Sequence, residues 1–211
     1  MTALPQFKSK TVPVIVITDV AQAIPMAHAL LAGGIDVMEI TLRHPAGLPA
    51  IAAVAKAVPE MCVGAGTVTT LDDVARVVDA GATFALSPGM TDSLIAAVQK
   101  ANLPFVPGVM TPGEVMRARD HGYGLVKLFP ATQAGGLGML KAIGGPLPDM
   151  RFCPTGGVSL ANMNEFLALP NVAMVGGSWL TPVNIVEAAA ASGDWSAITA
   201  LAQEATDQAS K

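Results

Sequence analysis

Lys127 sits in the middle of an apolar run, Gly124-Leu125-Val126-Lys127-Leu128-Phe129-Pro130. In a strand, alternate side chains face opposite ways, so Leu125, Lys127 and Phe129 share one side and Val126 and Leu128 the other. The other six lysines (Lys8, Lys10, Lys56, Lys100, Lys141 and Lys211) lie near the termini or in helix-like, solvent-friendly contexts. Desolvation disfavours an ammonium ion, and a neutral amine is a nucleophile. At the ordinary lysine pKa of about 10.4, only about one amine in 2,500 is neutral at pH 7. A lysine that must attack a carbonyl therefore gains from burial. A core lysine paired with a carboxylate for structure alone is the alternative.

A carboxylate that could serve it lies in the run Val37-Met38-Glu39-Ile40-Thr41, with Arg43 just beyond. Here Met38 and Ile40 share one face and Val37, Glu39 and Thr41 the other. Glu39 and Lys127 then become two ionisable groups that parity can place in one interior, where each is costly unless paired or neutral. A charged Glu39 alongside would favour the ammonium, so Glu39 is expected to be partly protonated or held off by water. Arg43 offers a planar fork for a carboxylate. Two glycine-rich stretches, Thr155-Gly156-Gly157 and Gly176-Gly177-Ser178, would let backbone N–H groups approach an anion. Tight turns are their bland reading.

The elements that must position these groups repeat along the chain. Apolar β-rich runs occur at Pro13–Ile17, Val37–Thr41, Cys62–Gly66, Thr83–Leu86, Pro104–Gly108, around Lys127, Arg151–Thr155 and Val172–Val175. Between them lie helix-period segments with start signals at Thr18 or Asp19, Pro45, Thr70, Thr91, Thr111 with Glu114, and Ser159. One or two helices follow Leu180. Eight such units predict a parallel sheet closed into a single-domain (β/α)8 TIM barrel over residues 1–211, with the site at the C-terminal strand ends. The two glycine stretches then follow strands seven and eight, where such barrels bind phosphate. A doubly wound open sheet would want a glycine fingerprint after its first strand, and Ile17-Thr18-Asp19 has none.

Composition narrows the function classes. At 52% hydrophobic and 13% charged residues, with 21 Gly and 16 Pro, the chain is too apolar to be disordered and too punctuated to be a helical bundle. A net charge of −4 and 4% aromatics argue against nucleic acid as a partner. The longest apolar runs, such as residues 50–58, fall short of the roughly 20 residues of a membrane span, and no signal peptide is evident. Cys62 and Cys153 read as small core residues of a reducing, cytoplasmic protein. His28, His44 and His121 are scattered, so no metal-ligand cluster is expected.

The stretches 37–43 (VMEITLR), 64–68 (GAGTV), 87–89 (SPG), 126–130 (VKLFP), 151–158 (RFCPTGGV) and 176–180 (GGSWL) together resemble the 2-keto-3-deoxy-6-phosphogluconate (KDPG) aldolase family, in order and at about its spacing. The resemblance implies a class I aldolase that uses no metal or other cofactor. It would split a phosphorylated keto acid into pyruvate and glyceraldehyde 3-phosphate, as a homotrimer. It further implies Lys127 as the Schiff-base lysine and Glu39 as the general acid/base. Arg43 and Thr67 would hold the pyruvate end with Thr155 lining the same pocket, Pro88 and Phe129 would wall it, and Gly156, Gly157, Gly177 and Ser178 would carry the phosphate. The segments at 87–89 and 153–157 look more like the gluconate-series enzyme than its galactose-series relative. Two alternatives stay open: an aldolase acting on 4-hydroxy-2-oxoglutarate, and a non-catalytic phosphosugar-binding barrel.

Overall fold

The computed structural model describes residues 3–209; Lys211 and both ends of the expected 1–211 domain lie outside the described residues. The strands are β1 Thr11–Ile15, β2 Val37–Thr41, β3 Cys62–Gly66, β4 Phe84–Leu86, β5 Phe105–Val106, β6 Gly108–Val109, β7 Leu125–Leu128, β8 Arg151–Phe152 and β9 Val175–Gly177. The helices are α1 Ala23–Ala32, α2 Gly47–Ala57, α3 Leu71–Asp79, α4 Asp92–Lys100, α5 Pro112–Asp120, α6 Gly136–Gly144, α7 Met163–Leu167, α8 Val183–Ser192 and α9 Ser196–Ala209. The order is α/β throughout, and every strand pairing is parallel.

The strands form a curled six-stranded sheet in the order β5-β4-β3-β2-β1-β9 and a three-stranded sheet β6-β7-β8. Proline chemistry accounts for the division. The expected fifth strand is cut into β5 and β6 at Pro107, which has no N–H to give to a ladder. Its carbonyl still accepts the N–H of Lys127 at 2.8 Å. At the other junction, Gly176 donates to the Pro154 carbonyl at 2.9 Å and Phe152 donates to the Asn171 carbonyl at 2.8 Å. Pro154 likewise shortens β8 to two residues, although Cys153 and Thr155 still donate to the carbonyls of Val126 and Leu128.

Other boundaries shift from the sequence expectation. β1 lies two residues earlier than Pro13–Ile17, and Val16 is exposed beyond its end, because an apolar run does not mark where the ladder stops. β9 begins only at Val175, with Val172 reduced to an isolated bridge to Phe152. Ser159 does not cap a helix. Its N–H instead donates to Asn162 Oδ1, and α7 starts at Met163. Thr70, Thr91 and Thr111 do cap α3, α4 and α5, each accepting a backbone N–H in the first turn, and Glu114 completes the box with Thr111; Asp19 caps only a short 3-10 turn, Val20–Gln22, and α1 begins after it with no side-chain cap.

Met38 and Ile40 are fully buried on the helix side of β2. The five described lysines other than Lys127 are exposed. Cys153 is buried as expected, whereas Cys62 is only half-buried: it opens β3 at the solvent end, against the Thr83 hydroxyl. Helix α9 returns to α1, where Thr199 donates to the Ala29 carbonyl at 3.1 Å and Gly33 leaves room for Ala202. No helix among the described residues is long and apolar enough to cross a membrane.

Candidate active site

Strand register brings the two ionisable groups together. Glu39 stands beside Val14 on one neighbour and Gly64 on the other, while Lys127 pairs with Gly108. Their side chains meet across the interior, with Lys127 Nζ 3.0 Å from Glu39 Oε1 and 3.3 Å from Oε2. The side chains are 6% and 1% exposed, respectively. The contact is direct, so the expectation of a separating water is corrected. The Coulomb attraction of a desolvated pair draws the groups to hydrogen-bond distance, where one proton can pass between them.

Absent side chains make the space. A Cβ on Gly66 would collide with Glu39, and one on Gly64 with the Phe84 ring, so β3 yields room on its inner face for the carboxylate. This role of Gly66 was missed from sequence; two glycines at i and i+2 on a strand, one of them in register with the acid, are the signal that could have revealed it. Phe129 lies over the amine, with Nζ 5.5 Å from its ring centroid, close enough for a cation–π contact. Cys153 faces the same pair. Burial pushes its thiol up to about 11, against the opposing pull of Lys127.

A cavity of about 160 Å³ is lined by Val14, Arg43, Phe129, Thr155, Gly156, Gly157, Val158, Gly177 and Ser178; Lys127 and Glu39 are not in its lining, and Phe129, whose ring lies over the amine, connects it to the pair. Seven residues expected in the site therefore converge on one space. Gly156 and Gly157 have φ of 98° and 78°, a backbone that L side chains rarely adopt, and a Cβ on Gly157 would strike Thr132. Gly176 leaves room for the Thr155 hydroxyl group, and Gly177 for the Trp179 ring. Among the described residues nothing accepts from the N–H groups of Gly156, Gly157 or Ser178. An anion with several oxygens suits such a rim.

Thr67 and Pro88 do not line that cavity. Thr67 follows β3 with φ of 61°, a strained conformation for a β-branched residue that costs about 1–3 kcal/mol and clusters at functional sites. Pro88 is exposed in the loop after β4, where its carbonyl group packs against Gly108 and Ser87 Oγ accepts the Gly108 N–H at 3.3 Å. Arg43 is exposed at the rim, its Nε donating to Thr41 Oγ1 at 3.3 Å. His44 accepts the Ala46 N–H at the approach to α2, and His121 pairs with Asp92. No group of three or more His, Cys, Asp or Glu among the described residues is placed to hold a metal ion. A larger apolar groove of about 680 Å³ between α3 and α4 is lined by one exposed lysine, Lys100, with no carboxylate in the lining to pair with it.

Comparisons with known proteins point to one family. The family described as KDPG and KHG aldolase matches residues 6–201. The chain is 53% identical over 194 residues to the 2-dehydro-3-deoxy-phosphogluconate aldolase of Pseudoalteromonas atlantica, covering 92% of this chain and 88% of that one. It is 48% identical to the KHG/KDPG aldolase of Escherichia coli K12, covering 94% and 91%. A crystal structure of the KDPG aldolase from Legionella pneumophila, with pyruvate captured at low pH as a covalent carbinolamine intermediate, superposes with a TM-score of 0.89 at 46% identity, covering 94% of each chain.

Proposed function

The chain belongs to the KDPG and KHG aldolase family, and we propose that it cleaves 2-dehydro-3-deoxy-6-phosphogluconate to pyruvate and glyceraldehyde 3-phosphate through an imine on Lys127. The observation that carries this reading is the direct, buried Lys127–Glu39 contact, joined through Phe129 to a cavity lined by Arg43 and two glycine-rich strand ends.

The steps follow from those positions. Transfer of the shared proton to Glu39 frees the Lys127 amine to attack the C2 ketone, and Glu39 returns that proton as the carbinolamine loses water. The protonated imine is then the electron sink for breaking C3–C4, while Glu39 accepts the C4 hydroxyl proton and the aldehyde departs. Protonation of the enamine carbon and hydrolysis of the imine release pyruvate and regenerate the amine. Arg43 would hold the substrate carboxylate as a fork, with Thr67, Thr155, Pro88 and Phe129 bounding the pyruvate end. Gly156, Gly157, Gly177 and Ser178 would carry the phosphate, whose remote contacts hold the chain in line for cleavage.

In this scheme the covalent imine supplies the electron sink that a metal supplies in other aldolases. We read the protein as one domain, and as a closed (β/α)8 barrel in which residues 105–109 count as one strand bent at Pro107. The hydrogen bonds of Pro107 and Pro154 across the sheet junctions support that reading. We further read it as a cytoplasmic homotrimer, which sedimentation equilibrium tests. The name of the Escherichia coli relative favours a second substrate, 4-hydroxy-2-oxoglutarate, which has no phosphate.

The deciding experiment is borohydride reduction in the presence of pyruvate, followed by peptide mapping. The expected result is one reduced pyruvate adduct on Lys127. An adduct elsewhere, or none, overturns the assignment.

A further inference from the structure

Thr41 ends β2 and is buried, although its side chain is polar. Its Oγ1 donates to the Ile15 carbonyl at 2.9 Å and accepts from Arg43 Nε at 3.3 Å. The polarity of both bonds is fixed, because a carbonyl can only accept and a guanidinium can only donate. The single hydroxyl proton is thus committed to β1, and a lone pair is left facing Arg43.

Arg43 has no carboxylate partner among the described residues. It lines both the 160 Å³ cavity and an adjoining one of about 250 Å³, which also contains Val16, Thr18 and the carboxylate-bearing Glu187. An exposed arginine with two cavities to choose from, one of them acidic, needs something to set its direction. We propose that Thr41 is a positioning residue: by holding Nε it presents the Nη1/Nη2 edge of Arg43 to the substrate carboxylate and keeps the guanidinium from turning to Glu187. The inference rests on the reading of Arg43 as the carboxylate-binding residue.

The test uses the full chain with Thr41→Val, which removes the hydroxyl at nearly constant volume, and Thr41→Ser, which keeps it. Thr41→Val should raise the KM for the phosphorylated keto acid, and the pyruvate concentration giving half-maximal borohydride trapping, by about tenfold. Its kcat should change less than about threefold, and Thr41→Ser should stay within about twofold of wild type. Adding Glu187→Gln to Thr41→Val should recover part of the loss. An unchanged KM in Thr41→Val, a loss confined to kcat, or equal impairment in Thr41→Ser overturns the positioning role. No recovery with Glu187→Gln overturns the turn toward that residue.

Because the Ile15 carbonyl loses its donor in Thr41→Val, Thr41→Cys replaces it if that variant does not fold, with the same expectations for KM and trapping. Arg43→Ala separates the two readings. If it raises the trapping concentration while Thr41→Val does not, the positioning role alone falls; if it has no effect, the carboxylate reading falls and takes the positioning role with it.

Discussion

The strand-borne pair and the glycine-borne rim solve opposite problems. Lys127 and Glu39 lie on β7 and β2, almost wholly out of water, and are defined by what their side chains do. The rim at Gly156, Gly157, Gly177 and Ser178 lies partly in solvent and is defined largely by what its side chains are not. Proton transfer and amine attack need desolvation and a fixed distance, which a strand ladder supplies. Anion recognition needs backbone N–H groups at close range, which residues without a Cβ allow most readily.

Removing either member of the pair should break the buried side of this contrast most severely. Lys127→Met should lower kcat by at least about 10⁴-fold and abolish borohydride trapping. It also strands a buried carboxylate, so the melting temperature should fall and recover when Glu39→Gln is added, as calorimetry of the three proteins would reveal. Retained turnover in Lys127→Met would end the distinction between a reactive interior and a binding rim. Glu39→Gln alone should lower kcat by about 10²- to 10⁴-fold while leaving slow adduct formation detectable by mass spectrometry.

The rim should respond differently. Gly157→Ala imposes a Cβ at φ of 78° and against Thr132. It should raise the KM for the phosphorylated substrate about tenfold while changing turnover of 4-hydroxy-2-oxoglutarate less than about twofold. Equal loss on both substrates would mean that the rim supports the fold rather than the phosphate.

The smallest effect is a control outside both regions. Burial would raise the Glu114 pKa, but N–H groups of Met110 and Thr111 outweigh it and hold the carboxyl below its usual range. A depressed folded value contributes stability above the ordinary glutamate pKa of about 4.3, lost as pH falls through the folded value. Glu114→Gln should therefore lower the melting temperature slightly at pH 7, lose that difference in the acid range and leave kcat unchanged. A change in kcat would tie the helix cap to the site.

Much of this division was legible in the chain. Alternation in a strand has period two, so one apolar run sufficed to turn Lys127 inward, and a second did the same for Glu39. The capping signals at Thr70, Thr91 and Thr111 also read directly, because their chemistry is local. What could not be read depended on how segments meet in three dimensions: the hollow at Gly66 that admits Glu39, the bond that commits the Thr41 hydroxyl to Ile15 on β1, and the placement of Thr67 and Pro88 off the cavity that Arg43 lines. Ser159 failed for a different reason. Asn162, three residues on, competes for the same turn, and a donor at position 159 satisfied it in the reverse sense.

Cys153 gives the interior a property best described as chemoselectivity. An enzyme that releases an aldehyde at every turnover exposes its own nucleophiles to it. Here an amine and a thiol occupy one desolvated space. Burial withholds the thiolate from the cysteine, pushing its thiol up to about 11. The same exclusion of water that encloses Lys127 thus disarms its neighbour, leaving the product one fewer partner with which to form a dead-end adduct.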